Sequence, residues 1–149
     1  MSDYFDSLET RTPVERETAL LDAVRQQLAH ARANAPAYTE LLQEVDPQAV
    51  KGPDDIAALP VTRKSDLIER QRSTRPFGGL SAIEPGGLQY VFASPGPIYE
   101  PGTQRPDYWR MARAAYAAGF RKGELIHSGF SYHLTPAGAM VDTAAHKLG

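Results

Sequence analysis

The sequence predicts an α/β fold. An N-terminal helical region, residues 1–75, precedes a partial βαβα parallel-sheet unit, residues 76–149. Three observations predict it. Apolar residues recur at helical spacing behind a capping signal over residues 12–33. Two runs of β-forming residues follow, Leu88–Ala93 and Glu124–Phe130. Each of those runs is followed by a helical pattern, the grammar of parallel strands joined by crossovers.

Thr12-Pro13-Val14-Glu15 reads as a capping box with proline at the first helical position, so hydroxyl and carboxylate each serve an otherwise orphan amide. Leu20, Leu21, Val24, Leu28 and Ala31 then form the inward stripe, with Arg16, Asp22, Arg25, Gln26 and Arg32 on the other face. Pro36 opens a shorter helix carrying Tyr38, Leu41 and Leu42. Asp46-Pro47 and Gly52-Pro53 are turns, and Asp54–Leu59 supplies one or two helical turns before Pro60. A further helix runs from Val61 to about Arg72, with Leu67 and Ile68 inward and its charges in solvent. Glycine pairs at 78–79 and 86–87 then break the chain. After the first strand, Ser94–Gly102 reads as a loop, and Asp107–Ala118 as a helix closed by Gly119. Arg121-Lys122-Gly123 turns into the second strand, and Thr135–Leu148 is the last helix. Two parallel strands alone leave open edges with little apolar cover. Gly149 stands where a third strand is expected, which reads as part of a longer α/β protein.

Composition narrows the function. Among 149 residues, 16 Lys and Arg stand against 18 Asp and Glu, a net charge of -2. That balance argues against a nucleic-acid partner. Cysteine is absent, which excludes disulfides and thiolate metal sites. No apolar run reaches the roughly 18 residues of a membrane helix, and the acidic start does not resemble a secretory signal, so the expected compartment is the cytoplasm. Alanine supplies 21 of the apolar residues and Val, Ile, Leu and Phe together only 30. The core is therefore thin, and a stretch of this length that fails to fold stably by itself is one reading.

Two segments could carry chemistry. A strand–glycine loop–helix junction at Ser94–Gly102 could offer amides to phosphate. Its prolines remove donors, however, and Glu100 places a negative charge there, so a plain proline-rich connection is the competing reading. The segment Phe130–Gly138 lies at the C-terminal end of the second strand, where ligands bind in open parallel sheets. Its aromatic and small residues suit a flat apolar pocket or, equally, a packing cluster under a helix start. His127, His133 and His146 do not share a helical face, and only Asp142 stands four residues from His146, so no metal site is expected. Ser131 and His133 lack an elbow motif and an orienting acid.

A serial set of motifs resembles the phenylacetate–CoA ligases. It comprises Tyr4-Phe5-Asp6 with Leu8-Glu9-Thr10-Arg11; Leu59-Pro60-Val61-Thr62-Arg63-Lys64-Ser65-Asp66-Leu67; and Pro76-Phe77-Gly78-Gly79. It continues with Val91-Phe92-Ala93-Ser94, with Asp107-Tyr108-Trp109 through Ala118-Gly119-Phe120, and with Phe130-Ser131-Tyr132-His133-Leu134. These follow in order over nearly the whole chain. The resemblance implies part of the large N-terminal domain of an adenylate-forming enzyme some three times longer, inactive as this segment alone. Such enzymes join a carboxylate to ATP, releasing diphosphate, and pass the acyl group to coenzyme A with loss of AMP. The implied cofactors are ATP, Mg2+ and coenzyme A. The implied partner is a small carboxylate, aromatic in this family, with a homodimer as an option for the full-length form.

The family's phosphate loop reads Ser-Ser-Gly-Thr-Thr-Gly-Lys-Pro. Here Ser94, Gly96 and Pro101 match, which implies cofactor binding at Ser94 and Gly96, whereas Pro97, Ile98, Tyr99 and Glu100 replace Thr, Thr, Gly and Lys. The family's acid-pocket stretch, Tyr-Gly-Tyr-Gly-Leu-Phe-Thr-Gly-Gly, falls on Phe130 through Gly138. It implies substrate binding by Phe130, Tyr132, His133, Thr135 and Gly138. The altered loop motivates a second reading: a non-catalytic relative that binds an aryl or acyl ligand, or a partner protein.

Overall fold

The computed structural model describes residues 3–149; Met1 and Ser2, the start of the acidic N-terminus, lie outside them. The chain divides into two compact units, one of Thr10–Glu84 and one that joins the N-terminal residues through Glu9 to Pro85–Gly149.

The Thr10–Glu84 unit is helical. Helix α1 spans Pro13–Asn34, α2 Pro36–Leu41, α3 Pro53–Ala57 and α4 Lys64–Ser73. The capping box forms as the sequence predicts. The Thr12 hydroxyl accepts from the Glu15 amide at 3.3 Å, and Glu15 accepts from the Thr12 amide at 2.7 Å. Helix α1 buries no residue completely. Leu21, Val24, Leu28 and Ala31 are half-buried, as the stripe requires, but Leu20 is exposed. Two residues assigned to the outer face turn inward. Arg25 Nε donates to the Val50 carbonyl at 2.8 Å, and an Arg32 guanidinium nitrogen donates to the Val45 carbonyl at 2.9 Å. Their long stems cover apolar surface while the charged heads satisfy carbonyls of the segment between α2 and α3. Ala35, Ala37, Leu42, Val50 and Phe77 form the core of this unit. Its small size follows from the alanine-rich composition.

The second unit corrects the expected sheet. Strand β1, Tyr90–Ser94, pairs with β2, Ile98–Gly102, in an antiparallel hairpin whose register runs from Tyr90 opposite Gly102 to Ser94 opposite Ile98. Half of the expected loop is thus a strand. Residues 124–130, expected as a parallel strand, form neither strand nor helix, and the parallel βαβα arrangement is absent among the described residues. The reason is pairing. A strand exists only beside a partner, and β2 lies three residues beyond β1, so its closure costs far less entropy than a crossover. Leu125 is accordingly fully exposed.

The helix expected from Asp107 is α5, Ala112–Ala117. Asp107 and Arg110 have φ of 50° and 57°, which no helix contains, and the Asp107 carboxylate accepts from the Met111 and Ala112 amides at 2.8 and 3.1 Å. It caps the helix from a turn rather than starting it. Helix α6, Ala137–Leu148, nearly matches the expected last helix. It packs on α5, and both helices present buried alanines, Ala112 and Ala144. The N-terminal strap binds α5 through Arg113, which meets Asp6 at 2.6 Å and Glu9 at 2.5 Å while its guanidinium lies 5.1 Å from the Phe5 ring centroid.

Candidate functional site

Both candidate segments lie in the unit that contains the hairpin, and a backbone bond joins them. The Ala93 amide donates to the Leu134 carbonyl at 2.7 Å. This places Phe130–Gly138 alongside β1, within reach of the hairpin turn.

The hairpin occupies the whole of Ser94–Pro101. Ser94 closes β1, Pro95-Gly96-Pro97 make the turn, and Ile98–Pro101 lie in β2. Gly96 has φ of 153°, and a Cβ there would stand 3.1 Å from Cγ1 of Ile98. The glycine is therefore explained by the fold of the turn. Ile98 is 4% exposed and packs into the unit. The Ser94 hydroxyl donates to the Ile98 carbonyl at 3.3 Å. Three of the eight residues are prolines without an amide proton, no Lys or Arg is present, and Glu100 adds negative charge. These groups do not fit a nucleotide triphosphate, which needs converging amides, hydroxyls and a cation. Nor do the described residues gather three His, Asp or Glu side chains in a metal-binding group.

The second segment divides. Phe130, 60% exposed, borders an apolar groove of about 400 Å³ between α5 and α6, together with Ala115, Ala118, Phe120, Ile126 and Val141. The Ser128 hydroxyl oxygen is buried beside this groove without a hydrogen-bond partner. Tyr132, His133, Thr135 and Gly138 do not line it. Tyr132 and His133 are exposed and Thr135 is half-buried. Gly138 is buried at the start of α6, where its amide donates to the Ser131 carbonyl at 3.1 Å and a Cβ would meet that oxygen at 2.6 Å. Its lack of a side chain is required by packing. His127 borders the groove, and His146 lies 3.7 Å from Asp142 on the surface of α6. Sequence reasoning missed Ser128 and the alanines of α5. Their only signal is the small-residue spacing of 114, 115 and 118, which also reads as ordinary helix packing.

A second depression, of about 440 Å³, opens on the far end of the hairpin. Phe92, Trp109 and Tyr108 form its floor, with ring centroids 6.2 and 4.9 Å apart in sequence, and Arg105 and Lys147 stand at its rim.

Comparison with known proteins shows what the chain is similar to. The chain is 33% identical over 156 residues to a phenylacetate–coenzyme A ligase of Thermus thermophilus, covering 98% of this chain and 34% of that one. Along nearly its whole length the chain is similar to phenylacetate–CoA ligases. It spans about a third of the length of the curated ligases it matches. No protein-family model matches it. A solved 2-hydroxyisobutyryl-CoA ligase, in the postadenylation state with 2-HIB-AMP, superposes with a TM-score of 0.81 at 26% identity, over 91% of this chain and 30% of that one. The same ligase with 2-HIB-AMP and CoA in the thioesterification state gives a TM-score of 0.80 at 25% identity, over 93% and 31%. The mixed helix-and-sheet fold thus matches a portion of an adenylate-forming CoA ligase.

Proposed function

We propose that the chain acts as the N-terminal part of an acyl-CoA ligase that passes a small aromatic acyl group from its adenylate to coenzyme A. The observation that carries this reading is the ordered match to phenylacetate–CoA ligases over nearly the whole chain, on a fold shared with a ligase bound to an acyl-adenylate and CoA. Within this segment, the groove beside Phe130 is the acid pocket. Its walls are mostly apolar, with His127 at its border and the buried Ser128 hydroxyl beside it, a composition that suits an aryl ring with a polar end. In the reaction, the thiol sulfur of coenzyme A attacks the acyl carbon of the adenylate. The bond from that carbon to the phosphate oxygen breaks, AMP leaves and the thiol proton passes to solvent. The chain supplies apolar walls that position the acyl group and exclude water from it.

The whole protein's cofactors, by kinship, are coenzyme A and an adenine nucleotide, with Mg2+ where diphosphate is released. The hairpin here does not fit the triphosphate of ATP. Exposed Val91, Leu125, Phe130 and Leu134 are read as surface that the remaining two thirds of such a ligase covers. The setting is aqueous: no described helix is long and apolar enough to cross a membrane, and a cytoplasmic location suits coenzyme A chemistry. The test supplies the full-length protein with synthetic phenylacetyl-adenylate and coenzyme A. Formation of phenylacetyl-CoA above the uncatalysed rate supports the reading. Absence of thioester across a panel of aryl and alkyl adenylates rejects it and favours the ligand-binding, non-catalytic alternative motivated by Glu100.

A further inference from the structure

The hairpin that stands in place of the phosphate loop has a consequence for ligand choice. From its geometry we infer that Ser94–Pro101 is a closed structural turn that gives no grip on the β- and γ-phosphates of a nucleotide, so the site accepts a nucleoside monophosphate ester at least as readily as ATP. This rests on the ligase reading above and narrows its substrate. Several groups a triphosphate would need are missing or engaged. Pro95, Pro97 and Pro101 have no amide proton. Ile98, Tyr99 and Glu100 lie in β2 opposite Ser94, Ala93 and Phe92, so their backbone is held extended and does not wrap a phosphate. The Ser94 hydroxyl is spent on the Ile98 carbonyl. The Ile98 side chain, buried at 4% exposure, cannot swing out without opening the unit. Glu100 repels the phosphate charge that a lysine would attract. An acyl-adenylate, with one esterified phosphate, asks for none of these groups.

The experiment is calorimetric titration of the full-length protein with ATP and with AMP. The expected result is ATP affinity no greater than about threefold that of AMP. ATP binding tighter than AMP by about tenfold or more, the worth of one charged hydrogen bond, overturns the inference. Binding of neither nucleotide also overturns the inference, while the ligase reading is judged separately by thioester formation from phenylacetyl-adenylate and coenzyme A. A folded variant P97T/I98T/Y99G/E100K is expected to raise the ATP-to-AMP affinity ratio by about tenfold. An unchanged ratio in that variant overturns the assignment of phosphate discrimination to these positions. If the four changes unfold the protein, Glu100→Lys alone should raise the ratio by about threefold, and no rise contradicts the inference equally.

Discussion

At the scale of single residues, three contacts set measurable limits. The Glu15 carboxylate is held below its ordinary pKa, first by the Thr12 amide and then by the Thr12 hydroxyl. A lowered carboxylate contributes stability above its unfolded pKa and loses it as pH falls through the folded value. Glu15→Gln should therefore lower the denaturation midpoint at pH 7 and leave it unchanged at a pH below both values. Thr12→Ala should cost about 1 kcal/mol at neutral pH, read from urea unfolding. Gly138→Val should cost about 1–3 kcal/mol, because the new side chain drives into the Ser131 carbonyl. In the full-length protein, Phe130→Ala should raise the KM for an aryl acyl-adenylate by about tenfold, matching the loss of one partly buried ring, with a smaller effect on a short alkyl substrate.

At the scale of elements, the strap and the hairpin carry the argument. Arg113 joins Asp6, Glu9 and Phe5, and the hydrogen bond with Asp6 is the main cause of its raised pKa. The group is 41% exposed, so solvent screening limits Arg113→Gln to about 0.5–1 kcal/mol. The clearer readout is faster amide exchange at Phe5–Glu9, and the difference should shrink in 1 M salt. Phe92, 6% exposed, anchors the hairpin against Trp109, and Phe92→Ala should cost about 3 kcal/mol. These elements also show what the sequence made legible. The α1 cap was readable because its signal lies within four residues. The hairpin was not, because Pro101 argues against a strand and proline is tolerated only on an edge such as β2. Residues 124–130 have strand-forming composition but no partner, and pairing is not written in the segment itself. Asp107 reads as an ordinary helix start until its positive φ turns it into a side-chain cap.

At the scale of the whole molecule, sequence order proved more informative than local chemistry. The motif series from Tyr4 to Leu134 pointed to the ligases the chain is similar to, while the acid-pocket stretch gave one groove residue, Phe130, and a packing glycine, Gly138. The rest of the groove, including the α5 alanines, Phe120, Ile126, Ser128 and Val141, carries no motif because these residues meet only once α5 and α6 are packed. In the proposed reading, this unit holds the acyl end of an adenylate beside a hairpin that does not grip triphosphate. A crystal structure of the full-length protein with a non-hydrolysable phenylacetyl-adenylate tests it most directly. The account predicts the aryl ring in the groove between α5 and α6, against Phe130 and Ser128, with the Pro95–Pro97 turn making no hydrogen bond to phosphate. An aryl ring seated elsewhere, or a turn reorganised to cradle the phosphate, would contradict it.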